Sequence, residues 1–419
     1  MSVFEFSRIK NFWSIPVVLL YLFSVLFFFM PSRPLWNDNS PYLAIILGVY
    51  FLVSGLSGSV FIPRNALWLS LVVGAGAISV GAFGVQVLLL PALGSVLLLL
   101  LSLPYFYWLG VYFSVRLLAI IFVFIALLHA QWGVLQFALQ HSLSLQPLGE
   151  TLLSATAAGV AKFSFGAGKI VRAYGPHPHA NPFGGWMLLG LIALRYAQVR
   201  NRIFVLASSW WLLLGCMLSF SRAAWAGAII WIGLSVFRRY SMRRLLVVTG
   251  LMTAACAPLL WARFTDQHDA AAAERYAGSR WALGMLHDTK AWIFGTGWGT
   301  YLPALSTYLN RHVLPYEPWQ LDYVHSVPLL LLAETGIAGL LLLTVLLGIL
   351  LYRKSDAVWL SALLPAVTLD HYMVTQPAPL LAVLLLLVLV RLQAPAALAV
   401  PALDVRVGQA QAARRRPAE

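Results

Sequence analysis

His325 stands immediately before Ser326, Val327 and Pro328, at the start of a long apolar run. An imidazole titrates near neutral pH, so a histidine at the mouth of such a run can serve as a general base towards a hydroxyl. Asp322 lies three residues earlier, and on a helix that spacing would put its carboxylate on the same face as the ring it would orient. Glu334 comes nine residues after His325. At about 100° and about 1.5 Å per residue it is half a turn out of phase and about 13.5 Å along the axis, so on a continuous helix it cannot assist His325. Its expected role is a hydrogen bond inside the bundle, with Gly336 and Gly339 allowing close approach of another element.

A second group of residues is cationic. Arg222 follows Ser219-Phe220-Ser221; Arg172, Arg275 and Arg280 lie in long polar connections, Arg280 between Ser279 and Trp281. A guanidinium is the side chain best shaped to hold phosphate oxygens in pairs, so several of them converging near a membrane surface would suit a diphosphate carried on a lipid. Gly295, Gly297 and Gly299 alternate just ahead of Tyr301, but no strand precedes them and no Lys-Ser/Thr follows. The nucleotide-loop reading therefore fails, and a turn that lets backbone approach a ligand or the bundle remains. His177 and His179 are held extended by Pro176 and Pro178, no carboxylate or cysteine follows at ligand spacing, and Asp-x-Asp is absent from the chain. No metal centre and no cofactor are expected.

The elements that must position these residues follow from composition. Of 419 residues, 61% are hydrophobic and 10% charged, where soluble domains carry roughly a quarter charged residues. A water-soluble enzyme is excluded. Runs such as 87–101 and 380–390 are apolar on almost every face, which excludes a transmembrane β-barrel as well. The chain reads as an all-α polytopic membrane protein with about 12 transmembrane helices, at about 12–30, 41–62, 66–83, 85–103, 117–139, 181–198, 203–219, 223–237, 245–262, 324–352, 357–371 and 378–393. The formal charge of +14 would suggest nucleic acid in a soluble protein; here topology accounts for it, and no nucleic-acid partner is expected. Placing Arg8 and Lys10 in the cytoplasm puts most Lys and Arg in short inner loops and leaves both termini cytoplasmic. Two long outer segments remain, about 140–180 and 263–323, the second between spans 9 and 10. Residues 1–393 read as one transmembrane catalytic domain and 394–419 as a cytoplasmic, disordered tail. Cys216 and Cys256 sit in apolar runs as packing residues.

The run from His325 through Glu334-Thr335-Gly336-Ile337-Ala338-Gly339-Leu340 resembles a signature of the bacterial O-antigen ligase and polymerase superfamily. Ser219-Phe220-Ser221-Arg222 is similar to its Ser-Arg motif, Arg280 lies in its arginine-containing segment, and Gly295-Thr296-Gly297-Trp298-Gly299 is similar to its glycine turn. The resemblance implies a metal-independent, inverting glycosyltransferase of the GT-C type in the bacterial inner membrane, with its active site facing the periplasm. Its donor would be a glycan on undecaprenyl diphosphate and its acceptor a sugar hydroxyl of lipid A-core, completing lipopolysaccharide among the surrounding membrane lipids. Carried over, His325 is the general base, and Arg222 and Arg280 hold the diphosphate. Arg275, Arg172, Asp322, Tyr301 and Trp281 are the expected substrate-binding residues. O-antigen polymerases and protein O-oligosaccharyltransferases share these motifs. A lipid-linked glycan flippase or other transporter is the alternative from a different class; it would place ionisable residues through the bilayer midplane, whereas here they cluster towards the outer face.

Overall fold

The computed structural model describes residues 114–165, 168–237, 271–287, 289–312, 321–352 and 354–392, with isolated positions between them. The four expected spans before residue 104, most of that at 245–262 and the tail from 394 lie outside the described residues.

The described chain is mostly helical. Helix α1 (Val115–Leu139) starts at Ser114, whose hydroxyl accepts from the Leu117 N–H. Helices α2 (Ala180–Tyr196), α3 (Arg202–Leu218) and α4 (Arg222–Phe237) follow, and α2 is the centre of the bundle. Phe183, Trp186, Met187, Leu188, Leu189 and Leu191 are all fully buried, as a helix apolar on every side must be when surrounded by α1, α3, α4 and a later helix. Beyond the loop come α5 (Ala271–Met285), α6 (Thr289–Phe294) and α7 (Tyr301–Arg311). Helix α8 (Val327–Leu351) is capped by the Ser326 hydroxyl and carries Pro328 in its first turn, where the missing N–H costs nothing. Among the described residues, α1 and α8 are long and apolar enough to cross a bilayer, and three shorter apolar helical stretches accompany them.

The expected span 357–371 is not one α-helix. A 3₁₀ stretch, Ser355–Leu363, leads into α9 (Leu364–Leu369), and the chain then turns extended at Asp370 before α10 (Tyr372–Thr375) and α11 (Pro377–Leu392). Pro365 lacks an N–H and its ring clashes with the carbonyl four residues back, so an α-ladder cannot run through this point. Within the expected outer segment 263–323, α5 and α6 are separate helices with a break between them.

Among the described residues one β-hairpin interrupts the helices, so the described chain is mostly helical rather than all-α. Strand β1 (Lys162–Phe165) pairs antiparallel with β2 (Gly168–Val171), Lys162 opposite Val171. It continues past β2 as Arg172 N–H to Ala161 O and Ala173 N–H to Leu218 O, tying the hairpin to the end of α3. The alternation in Lys162-Phe163-Ser164-Phe165 is a strand signal the helical reading passed over.

Glu150 fastens the 140–180 connection to α1. Its buried carboxylate accepts from Trp132 Nε1, Gln136 Nε2 and the backbone N–H groups of Leu143 and Leu145, at 2.6–3.1 Å. Burial alone would raise the pKa of this group, but the four donors outweigh it and hold the carboxyl below the ordinary carboxylate range. A carboxyl depressed in this way stabilises the fold above its unfolded pKa and ceases to as pH falls through the folded one. Glu150→Ala, which strands four donors, is expected to cost on the order of 3 kcal/mol. In thermal melts of purified protein, the advantage of the native chain over Glu150→Gln should shrink on acidification below the carboxylate range; an advantage that grew there would contradict the assignment.

Candidate active site

The C-terminal ends of α1 and α3, the N-terminal ends of α2, α4 and α8, and the α9–α10 break meet at one end of the bundle, tied by the hydrogen bonds below. His325 sits there, one residue before the Ser326 cap, partly exposed. The helix has not begun at Asp322, so Asp322 and His325 share no helix face. Asp322 is exposed, and its Oδ1 accepts from the N–H of Tyr323. The carboxylate that faces His325 is Asp370: its Oδ1 lies 3.5 Å from His325 Nδ1, with side-chain exposures of 5% and 27%.

Asp370 is itself held from behind. Its Oδ2 accepts from Asn181 Nδ2 at 2.8 Å, Asn181 Oδ1 accepts from Arg172 Nη2 at 2.6 Å, and Arg172 Nε donates to the Ser219 carbonyl at 2.7 Å. Oδ1 also accepts the His371 N–H at 2.9 Å. The His325 ring and the Asp370 carboxylate thus stand as a close pair, with no hydrogen-bond partner for the buried Nδ1 among the described residues. Arg172 is thus a buried structural cation, occupied by Ser219 and Asn181, and its expected phosphate contact gives way to a positioning role. His179 caps α2 by accepting the Asn181 N–H. Burial pushes its ring down to about 3, with the Arg172 guanidinium adding to the effect, so it adds no charge to the cluster. His177 turns the other way, 3.2 Å from His129 beneath Trp186, so the two histidines paired in sequence diverge in space.

Arg222 opens α4, and the turn before it is tightly built. Phe220 has φ 49°, an uncommon left-handed conformation for a bulky residue, and its ring is seated among Phe163, Phe137 and Trp225 at centroid distances of 4.4–5.9 Å. The hairpin therefore fixes the direction in which Arg222 leaves the turn. Arg222 and Arg275 of α5 repel one another electrostatically, which places two guanidinium groups in one neighbourhood. Among the described residues the buried Nε of Arg275 has no hydrogen-bond partner. Arg280, five residues further along α5, is exposed and lies over the Tyr276 ring at 6.0 Å. The structure thus brings Arg275, rather than Arg280, to Arg222. Trp281 packs into the α5–α7 cluster.

Tyr301 is fully buried, its ring stacked on Tyr323 at 5.8 Å, which removes it from direct contact with a ligand. Tyr323 in turn lies 5.4 Å from His371, and His371 lies 5.3 Å from His325, so this aromatic row lines the cluster.

The glycine turn and the Glu334 segment form one interlock. Gly336 (φ 64°, ψ −172°) breaks α8 in a conformation essentially confined to glycine. The carbonyls of Ala333 and Glu334 are taken up by the N–H groups of Thr296 and Gly297 at 2.9 and 2.8 Å. The Glu334 carboxyl group meanwhile accepts the N–H groups of Gly299 and Tyr301 at the start of α7. A Cβ on Gly295 would overlap the Glu334 carbonyl and one on Gly336 would overlap that of Ile293. Gly336→Ala is expected to destabilise by about 2 kcal/mol or more, whereas Gly348→Ala, in open space on the same helix, should be neutral or stabilising by up to about 1 kcal/mol. Comparing melting temperatures of the two variants checks the interlock, and equal effects would refute it.

None of the curated proteins matches the chain. A family model described as O-antigen ligase (Wzy_C) matches residues 207–344, about a third of the chain. That stretch contains the Ser-Arg turn, Arg275, the glycine turn, His325 and the Gly336 break, while Arg172, Asn181 and Asp370 stand outside it. Over residues 207–344 the chain is thus similar to the O-antigen ligase family, with these motifs in order inside the match.

Proposed function

We propose that this protein is an O-antigen ligase that moves a glycan from undecaprenyl diphosphate to a sugar hydroxyl of lipid A-core at the periplasmic face of the inner membrane. The observation that carries the reading is the His325–Asp370 pair at the same end of the bundle as the Ser-Arg turn. In this reading His325 Nε2 takes the proton of the acceptor hydroxyl as its oxygen attacks the anomeric carbon. The bond from that carbon to the diphosphate breaks on the opposite side, which inverts the centre. Arg222 and Arg275 receive the charge that gathers on the leaving diphosphate, a task guanidinium groups perform without a divalent metal. Arg280 stands at the rim of the donor path, and Asp322 is an outer contact for sugar hydroxyls.

The test is transfer by purified protein from lipid-linked glycan to lipid A-core in the presence of EDTA. Product formed by the native chain and lost in His325→Ala supports the ligase. Elongation of the lipid-linked glycan without transfer to lipid A-core would identify a polymerase, and transfer to protein an oligosaccharyltransferase. Vectorial movement of donor without any new glycosidic bond would identify a transporter.

A further inference from the structure

His371 is drawn into the cluster but given no task by the transfer reaction. Its Nδ1 lies 2.8 Å from Thr375 Oγ1, and that hydroxyl donates to the His371 carbonyl at 3.2 Å. Nδ1 is then the donor, so Nε2 carries the lone pair. This lone pair faces two carboxylate oxygens, Asp370 Oδ1 and Asp322 Oδ1, each at 3.9 Å, and His325 Nδ1 lies 3.5 Å from the same Asp370 Oδ1. Lone pair and carboxylates repel at this range, and 3.9 Å is too long for a hydrogen bond. The same spacing suits ligands around an ion. Four ligands at about 2.0–2.1 Å from a tetrahedral metal stand about 3.3 Å apart, and the donor atoms of His325, Asp370 and His371 lie within 4.8 Å of one another.

We propose that His325 Nδ1, Asp370 Oδ1 and His371 Nε2 form a binding site for a zinc-class divalent cation, with Asp322 or water as fourth ligand, and that occupation of this site silences His325. Two imidazoles and one carboxylate select a borderline ion over magnesium or calcium, which require oxygen-rich shells. The supporting shell exists: Asn181 and Arg172 fix the Asp370 carboxylate, and Thr375 fixes the His371 tautomer. A metal on Nδ1 of His325 forces the remaining ring proton onto Nε2, which then has no lone pair to offer a hydroxyl. The binding claim stands without the proposed transfer; that zinc would arrest catalysis rests on that reading.

The test uses full-length protein in detergent, stripped with EDTA and titrated with Zn²⁺ against a chromogenic chelator, with Mg²⁺ and Ca²⁺ in parallel. One zinc per chain at micromolar affinity or tighter is expected, about tenfold weaker or more in His371→Ala and Asp370→Asn. Thr375→Val, which removes only the second-sphere hydroxyl, should weaken it less and serves if the ligand variants do not fold. Diethyl pyrocarbonate, whose carbonyl is attacked by an imidazole lone pair, reads the second part by mass spectrometry: zinc should protect His325 in the native protein and not in His371→Ala. Failure to bind zinc below about 100 µM, or equal affinity in all variants, overturns the site. Equal modification of His325 with and without bound zinc overturns the silencing. Neither readout needs donor, acceptor or turnover, so a failed ligase assay would leave both interpretable.

Discussion

His325→Ala is expected to lose glycan transfer by about 10²–10⁴-fold, the usual contribution of a positioned general base, while donor binding persists. The reason is geometric. Nδ1 of the ring lies 3.5 Å from Asp370, and Asp370 is braced by Asn181, Arg172 and the Ser219 carbonyl. The side chain is partly open to an incoming hydroxyl. Removing the ring would delete the proposed proton acceptor without touching the guanidinium groups that would hold the donor. Rates of transfer and donor affinity, measured on the same preparation, separate the two effects; native turnover in the variant would remove His325 from the mechanism.

Arg222→Ala should lower turnover by about 10²–10³-fold, comparable to deleting one donor to a developing oxyanion, and should weaken donor binding as well. Arg275→Ala is expected to follow it closely, because the two guanidinium groups share one neighbourhood and relieve their mutual repulsion on a common anion. Arg280→Ala should be milder, since Arg280 points outward over Tyr276. Lysine at position 222 should recover part of the binding and little of the rate, as an ammonium keeps the charge but loses the paired donors. Unchanged donor affinity in both Arg222→Ala and Arg275→Ala would contradict the diphosphate role, and a loss in Arg280→Ala as large as in Arg275→Ala would return the pairing to the one read from sequence.

Some of this was fixed by the order of residues. The apolar runs specify helices because each residue added to a helix satisfies its own backbone, whatever its neighbours do, and the expected segments at 117–139, 181–198, 203–219 and 223–237 coincide with α1 to α4 within two or three residues. The position of His325 at the start of α8 was legible from Ser326 and Pro328, a cap and a first-turn proline acting within four residues. So was the conclusion that Glu334 cannot reach His325, which follows from helix geometry alone.

What tertiary structure decided are the partners. Asp322 is adjacent in sequence, yet Asp370, from the break before α10, faces His325, because only packing of α8 and α9 against the bundle brings those loops together. Arg275 and Arg280 are indistinguishable by composition, and the way α5 lies against its neighbours selects between them. Arg172 looked like a ligand for phosphate until the hairpin buried it against Ser219. The two glycine motifs, read apart, are the halves of one backbone crossing whose carbonyls and N–H groups satisfy each other across more than thirty residues. Local sequence sets which groups are available and which dihedrals are permitted; which charge meets which is settled by long-range burial, and burial is a property of the folded chain as a whole.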